Sequence, residues 1–146
     1  MVSLKHEEIL DHWEKDCVID INDLSKSSVS VPKLHGKYLR MLIDCKTRKI
    51  SIGHRIEQKK KDLEIYYSGQ ATAAVYKARP FPTKLKTQAA IQQHVSTDPS
   101  LIGLRDKIEY INVMIESLEY IMKQITNMNF TIKNILEWEK LRNGGF

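Results

Sequence analysis

Five histidines and two cysteines are the residues best equipped for catalysis or metal binding, and their spacing serves neither. His6 and His12 bracket Glu7 and Glu8, but a metalloprotease helix needs its second histidine four residues after the first, and that position is Leu10. On a helix His6 and His12 also fall on different faces. His35, His54 and His94 lack a cysteine or carboxylate at ligand spacing, so each reads as a surface or interface histidine. Cys17 and Cys45 carry no reactive or zinc-binding signature. Gly36, Gly53 and Gly69 stand alone, which leaves no glycine-rich loop to cradle a phosphate. Carboxylates for a two-metal nuclease would have to come from the N-terminal stretch, where they read as helix-start charges. No catalytic residue, metal site or cofactor is expected.

Binding chemistry is better represented. Residues 1–32 hold three Lys against seven acids, net −4; residues 33–97 hold fourteen Lys or Arg against four acids, net +10; residues 98–146 hold six against seven, net −1. From Ile65 to Thr97 there is no acid at all. Such a segment attracts a polyanion: nucleic acid first, with an anionic membrane surface or an acidic protein as the other options. Single-stranded nucleic acid is held by cations that track its backbone and by rings that stack on its bases. Lys46, Arg48, Lys49, Arg55, Lys59, Lys60 and Lys61 run ahead of Tyr66 and Tyr67, and Tyr76 and Phe81 interleave with Lys77, Arg79, Lys84 and Lys86. These cations with Tyr67, Tyr76 and Phe81 are the candidate DNA contacts, while Tyr66 at a seam position reads as packed. Duplex reading is disfavoured, since no helix-turn-helix or zinc-finger pattern occurs.

The elements that must carry these residues are helices. At 146 residues, with 42% hydrophobic and 28% charged, the chain fits one mainly α domain; six Gly and four Pro are too few for a turn-rich β fold. No apolar run approaches the ~20 residues of a membrane span, and the N-terminus lacks a signal-peptide pattern, so an intracellular protein is expected. Ile9, Leu10, Trp13 and Cys17 give residues 4–17 one apolar face. Asp23 can cap a short helix through Ser28, and Pro32 suits the first turn of a long basic helix over 33–68, stopped by Gly69. Residues 70–83 break the helical pattern, with 76–82 extended around Pro80 and Pro82, and 84–95 fit a short helix or a strand, the helix being the first choice. Asp98-Pro99-Ser100 starts a helix on which Leu101, Leu104, Ile108, Ile111, Ile115, Leu118, Met122 and Ile125 step by threes and fours. Asn127-Met128-Asn129 should interrupt it, leaving a last helix through Trp138 and Leu141 to Gly144-Gly145 and thus an apolar helical hairpin. The organisation predicted is an acidic arm (1–31), a basic DNA-binding region (32–97) and an oligomerisation region (98–146). In the last, Leu104, Ile108, Ile111, Ile115, Leu118, Met122, Ile125 and Trp138 would pack against copies of the chain.

The order of several short motifs resembles the UvsY family of T4-type bacteriophage recombination mediators. They are Trp13, Asp16, Ile19 and Asp20; Pro32, Leu34, His35, Lys37 and Tyr38; Tyr66-Tyr67-Ser68-Gly69; Tyr76-Lys77 and Pro80-Phe81-Pro82; Lys107-Ile108-Glu109-Tyr110; Leu118-Glu119; Ile132-Lys133-Asn134; and Glu137-Trp138. The Pro-Phe-Pro segment is similar to marine-phage members, and Asp62 stands where the type member has a basic residue. The resemblance implies a non-enzymatic protein of the infected host's cytoplasm that binds single-stranded DNA. It also implies ring-like homo-oligomers of about six or seven subunits, which help the phage recombinase displace the single-strand-binding protein and nucleate a filament. The family's DNA contacts would fall near Lys59-Lys60-Lys61, before the paired tyrosines. On the residues alone, a helical scaffold whose basic face docks an acidic protein is the alternative.

Overall fold

The computed structural model describes residues 4–144, and every regular element within them is a helix. They are α1 (His6–Asp16), α2 (Leu24–Tyr67), α3 (Ala73–Ala78), α4 (Gln88–Thr97) and α5 (Pro99–Arg142). Among the described residues no helix is long and apolar enough to cross a membrane. The chain forms two units, one of residues 1–46 and 112–146 and the other of residues 47–111, and both α2 and α5 contribute to each.

The first unit combines α1, the first half of α2 and the second half of α5. Leu24, Val31, Tyr38, Leu42 and Cys45 are the buried positions of α2; Met114, Leu118, Ile121, Ile125, Met128 and Ile132 are those of α5. Both sets recur by threes, fours and sevens, the spacing of one continuous apolar helix face. Ile9 buries α1, and polar contacts fix its position. Asp16 accepts hydrogen bonds from Lys37 Nζ at 2.5 Å and from the Tyr38 hydroxyl at 2.9 Å, while Trp13 meets the Tyr38 ring edge-on at 5.6 Å. His6 Nε2 and Ser117 Oγ share a hydrogen bond of 2.8 Å between α1 and α5. Burial, reinforced by the Asp16 carboxylate, raises the Tyr38 pKa. Burial also works to raise the Asp16 pKa, but the hydrogen bonds from Lys37 and Tyr38 outweigh it and lower it.

Two expected helix boundaries are absent. Asp23 does cap a helix, accepting from the Lys26 backbone N–H at 3.0 Å, but that helix continues through Pro32 into the long basic one. Proline costs the helix one hydrogen bond and some strain, and the buried Leu24 and Val31 that precede it keep the segment helical. Likewise Asn127-Met128-Asn129 lies inside α5, so the apolar hairpin is one unbroken helix of 44 residues. Met128 falls on the buried stripe between Ile125 and Ile132, and that burial outweighs the few tenths of a kcal/mol that each asparagine costs a helix.

The second unit is built on the end of α2, α3, α4 and the start of α5. Leu63, Tyr66 and Tyr67 of α2, Ile91 and Val95 of α4, and Leu101 of α5 form its core, with Ile56, Tyr76, Phe81 and Leu85 packed against them. As read from sequence, Gly69 ends α2: it holds a φ of 81°, its N–H reaches the Tyr66 carbonyl at 3.2 Å, and the Gln70 N–H reaches that of Ile65 at 3.1 Å. This pair of bonds is a Schellman cap, which requires a left-handed residue that glycine adopts without strain. The short helix expected over 84–95 forms a few residues later, at Gln88–Thr97, where Thr87 Oγ1 accepts from the Ala90 N–H at 3.2 Å. Tyr76, expected in extended chain, lies in α3, its hydroxyl donating to the Tyr66 carbonyl at 2.6 Å. Ile111 is 1% exposed, so Ile111→Asp should unfold the chain by burying an unpaired charge, at a cost of about 3 kcal/mol or more. A thermal melt followed by far-ultraviolet circular dichroism checks this; an unchanged Tm would contradict the packing described.

Candidate nucleic-acid interface

The charge is divided unequally between the two units. Residues 47–111 carry twelve Lys or Arg against six acids, net +6, while the remainder of the chain carries eleven against twelve, net −1. In the basic unit Lys60 pairs with Glu57 at 3.2 Å and Arg79 with Asp98 at 2.9 Å. Among the described residues Arg48, Lys49, Arg55, Lys59, Lys61, Lys77, Lys84 and Lys86 form no ion pair. On α2, Arg48, Arg55 and Lys59 fall within about 40° of one another beside the buried stripe, Lys49 and Lys60 border its other side, and Lys61 points away. Arg48, Lys59 and Lys60 are half-buried, as expected when long stems lie along apolar surface with their charged heads in water. Lys46 belongs to the other unit, where it faces Glu119 at 3.8 Å.

The four remaining candidates, Tyr67, Tyr76, Arg79 and Phe81, do come together, with Tyr67 buried, Tyr76 and Phe81 half-buried and Arg79 exposed, in a partly packed cluster rather than an open row of rings. Tyr66 stacks on Tyr76 at 5.3 Å, and Phe81 sits 5.6 Å from Tyr66 and 5.1 Å from Tyr67. His94 of α4, read from sequence as a surface or interface residue, is half-buried and closes the cluster at 5.3 Å from Tyr67 and 5.9 Å from Phe81. Arg79 lies over the Tyr66 ring at 4.9 Å, and its Nη2 reaches the Tyr67 hydroxyl at 3.1 Å as well as Asp98. Asp98 is the residue sequence reasoning saw only as a helix start. Its Oδ1 accepts from the Ser100 N–H at 2.9 Å, capping α5 with Pro99 at the first helical position, and from Ser100 Oγ at 2.5 Å. Its Oδ2 accepts from the Tyr67 hydroxyl at 2.7 Å and from Arg79. A buried acid beside an acid-free stretch was the available signal, but nothing in the spacing says that the stretch folds back onto it.

Burial alone would raise the Asp98 pKa; the hydrogen bonds from Ser100, Tyr67 and Arg79 outweigh it and bring it down to about 2. Burial and the Asp98 carboxylate raise the Tyr67 pKa, against an opposing effect of Arg79. The hydrogen bond to Asp98 raises that of Arg79. Beside this network a cavity of about 440 Å³ opens at the end of α2, its lining including Tyr67, Tyr76, Phe81, Pro82, Thr83 and Lys84.

Of the side chains expected to face other copies, Leu104, Ile111, Leu118 and Ile125 are buried inside this chain, Ile108, Ile115 and Met122 are half-buried, and Trp138 is 73% exposed. The first four are therefore occupied by the chain's own packing. The apolar surface left in the first unit includes Val18, Ile21, Val29, Tyr120, Phe130, Trp138 and Leu141, each more than 60% exposed. Ile21 and Trp138 share a shallow cavity of about 310 Å³.

A family model described as recombination, repair and ssDNA binding protein UvsY matches residues 12–145. The chain belongs to the UvsY family. Crystal structures of the bacteriophage T4 recombination mediator protein UvsY share its all-helical fold. The lattice type II structure superposes with a TM-score of 0.81 at 18% identity, covering 97% of this chain and 99% of that one. The lattice type IV structure gives 0.77 at 19% identity over 95% and 99%. No curated protein sequence matches the chain. UvsY-family membership carries a role in recombination and repair with single-stranded DNA binding, and the basic unit supplies cations suited to it.

The Asp98 network sets a pH dependence for this UvsY-family chain. Because the folded pKa lies below the unfolded value of 3.8, Asp98 contributes stability that is complete above about pH 4 and is lost as pH falls toward 2. Asp98→Asn should therefore cost about 2 kcal/mol at neutral pH and flatten the stability profile between pH 4 and 2. Urea titrations of both proteins across that window test it; parallel profiles would contradict the assigned role of the carboxylate.

Proposed function

We propose that this chain is a recombination mediator: a non-enzymatic protein of the infected bacterial cytoplasm that binds single-stranded DNA and promotes recombinase filament assembly by displacing the single-strand-binding protein. The observation that carries the reading is that ten of the twelve Lys and Arg of the basic unit, eight of them candidate contacts, have no intrachain ion pair among the described residues. A surface of this kind lowers its own electrostatic energy by taking up phosphates and releasing their counterions, which gives affinity without base selection. Arg48, Lys49, Arg55, Lys59 and Lys61 on α2 and Lys77, Lys84 and Lys86 beyond it are the proposed backbone contacts. Arg79 acts on the fold instead, since its charge is matched by Asp98. Family membership supports single-stranded over duplex DNA as the ligand.

Self-association into a ring-like homo-oligomer belongs to the same proposal. Several modest sites on one particle engage one strand at high effective concentration, so avidity exceeds the affinity of a single site. We assign the interface to the exposed apolar residues of the first unit, Trp138 and Leu141 foremost, rather than to the interior seam of α5. Desolvating those side chains against a copy provides the driving force.

Two measurements test the reading. Reversal of charge at Arg55, Lys59 and Lys61 should weaken binding to labelled single-stranded oligonucleotides. It should also flatten the slope of log affinity against log salt by roughly 0.7 for each phosphate no longer neutralised, with sedimentation unchanged; an unaltered salt slope would remove α2 from the DNA interface. Trp138→Asp should keep the melting temperature and shift sedimentation toward the monomer, with a fall in DNA affinity that comes from reduced avidity alone. A variant that still sediments with the wild type would dismiss the assigned interface.

A further inference from the structure

The cavity at the end of α2 has a composition and size that the backbone contacts do not use. At about 440 Å³ it is within the range of small-ligand sites, roughly 300–1,000 Å³. Its lining includes three aromatic residues, Tyr67, Tyr76 and Phe81, together with Thr83, Lys84 and Leu85. Tyr66 stacks on Tyr76 and does not itself line the cavity. Gly69 also borders it, and a Cβ built there would meet nothing within 4 Å.

We propose that this cavity takes up one nucleobase of the bound single strand, an assignment that rests on the DNA-binding reading above. Charge decides the occupant. Lys84 lines the opening, Lys77 and Lys86 lie close by in sequence, none of the three has an ion pair among the described residues, and no acid occurs from Ile65 to Thr97. A planar group attached to a phosphate satisfies both the rings and the lysines; an apolar peptide side chain satisfies only the rings. The polar atoms of the wall set the selectivity. The Tyr67 hydroxyl is held by Asp98 and Arg79, the Tyr76 hydroxyl donates to the Tyr66 carbonyl and accepts from the Ala71 N–H, and the Ser68 hydroxyl donates to the Ile65 carbonyl. Only Thr83 Oγ1 and Lys84 Nζ among the lining side chains have no hydrogen-bond partner among the described residues. The cavity therefore reads the presence of a base through its ring faces and edges, with almost no means of reading which base it is.

The experiment compares the full-length protein on a labelled oligothymidylate and on an abasic strand of equal length. A second oligonucleotide carrying a single 5-iodouracil is irradiated in the complex, and the cross-linked peptide is identified by mass spectrometry. The expected result is binding at least about fivefold tighter to the base-bearing strand, with equal salt slopes for both strands and cross-links at Tyr76 or Phe81. Oligocytidylate should bind within a few-fold of oligothymidylate. Salt-dependent binding of equal strength to both strands, or cross-links confined to residues outside the cavity, would overturn the base site and leave the DNA-binding reading standing. Failure to bind either strand would remove both.

Discussion

Asp98 accepts four hydrogen bonds at a position almost closed to water, and three separate elements of the basic unit meet on it. Tyr67 arrives from the last turn of α2, Arg79 from the acid-free stretch after α3, and Ser100 from the first turn of α5. A segment whose charge is so one-sided gains little from folding on itself, since every approach of two lysines is repulsive. One fully desolvated carboxylate answers this in part by drawing in Arg79, and the guanidinium covers the Tyr66 ring as it does so. Removing either partner of such a pair leaves the other without its compensating charge, which makes the pair a condition of the local fold rather than an ornament of it.

The same economy explains which cations remain available. Arg79 is neutralised in place, Lys60 lies against Glu57 and Lys46 against Glu119, and the rest of the candidate cations keep their heads in water. The aromatic residues follow the opposite course. Tyr66 and Tyr67 have their hydroxyls committed and their rings in the core, and of the two only Tyr67 lines the cavity. Scattered cations combined with one recess are the arrangement the proposed mediator role calls for, a strand held by its backbone whatever its sequence. Strong edge-specific hydrogen bonds would instead hold some sequences too long.

Local signals were legible in the sequence wherever a backbone requirement decides the outcome. Gly69 was readable as a stop because a left-handed residue must close α2, and Asp98-Pro99-Ser100 as a start because a cap and an N1 proline suffice. Asp23 was readable as a cap for the same reason. The failures lie where tertiary burial outweighs a local penalty. Pro32 and Asn127-Met128-Asn129 look like boundaries, but Leu24, Val31 and Met128 keep the buried stripes running through them. The charge asymmetry was visible as composition; that it becomes a folded unit of net +6 while Arg79 is withdrawn from it was not.

The seam of α5 shows how much apolar periodicity by itself leaves open. A stripe stepping by threes and fours demands a partner but does not say whose. Here the stripe is answered within the chain, with Leu118 and Ile125 fully buried. Residues such as Val18, Ile21, Trp138 and Leu141, which follow no long periodic pattern, are the ones left facing water. An interface is defined by what remains after the monomer has satisfied itself, and that remainder is a tertiary quantity. For this chain the remainder is a cationic surface on one unit and an apolar one on the other, made of different side chains, so the two proposed activities can be tested one at a time.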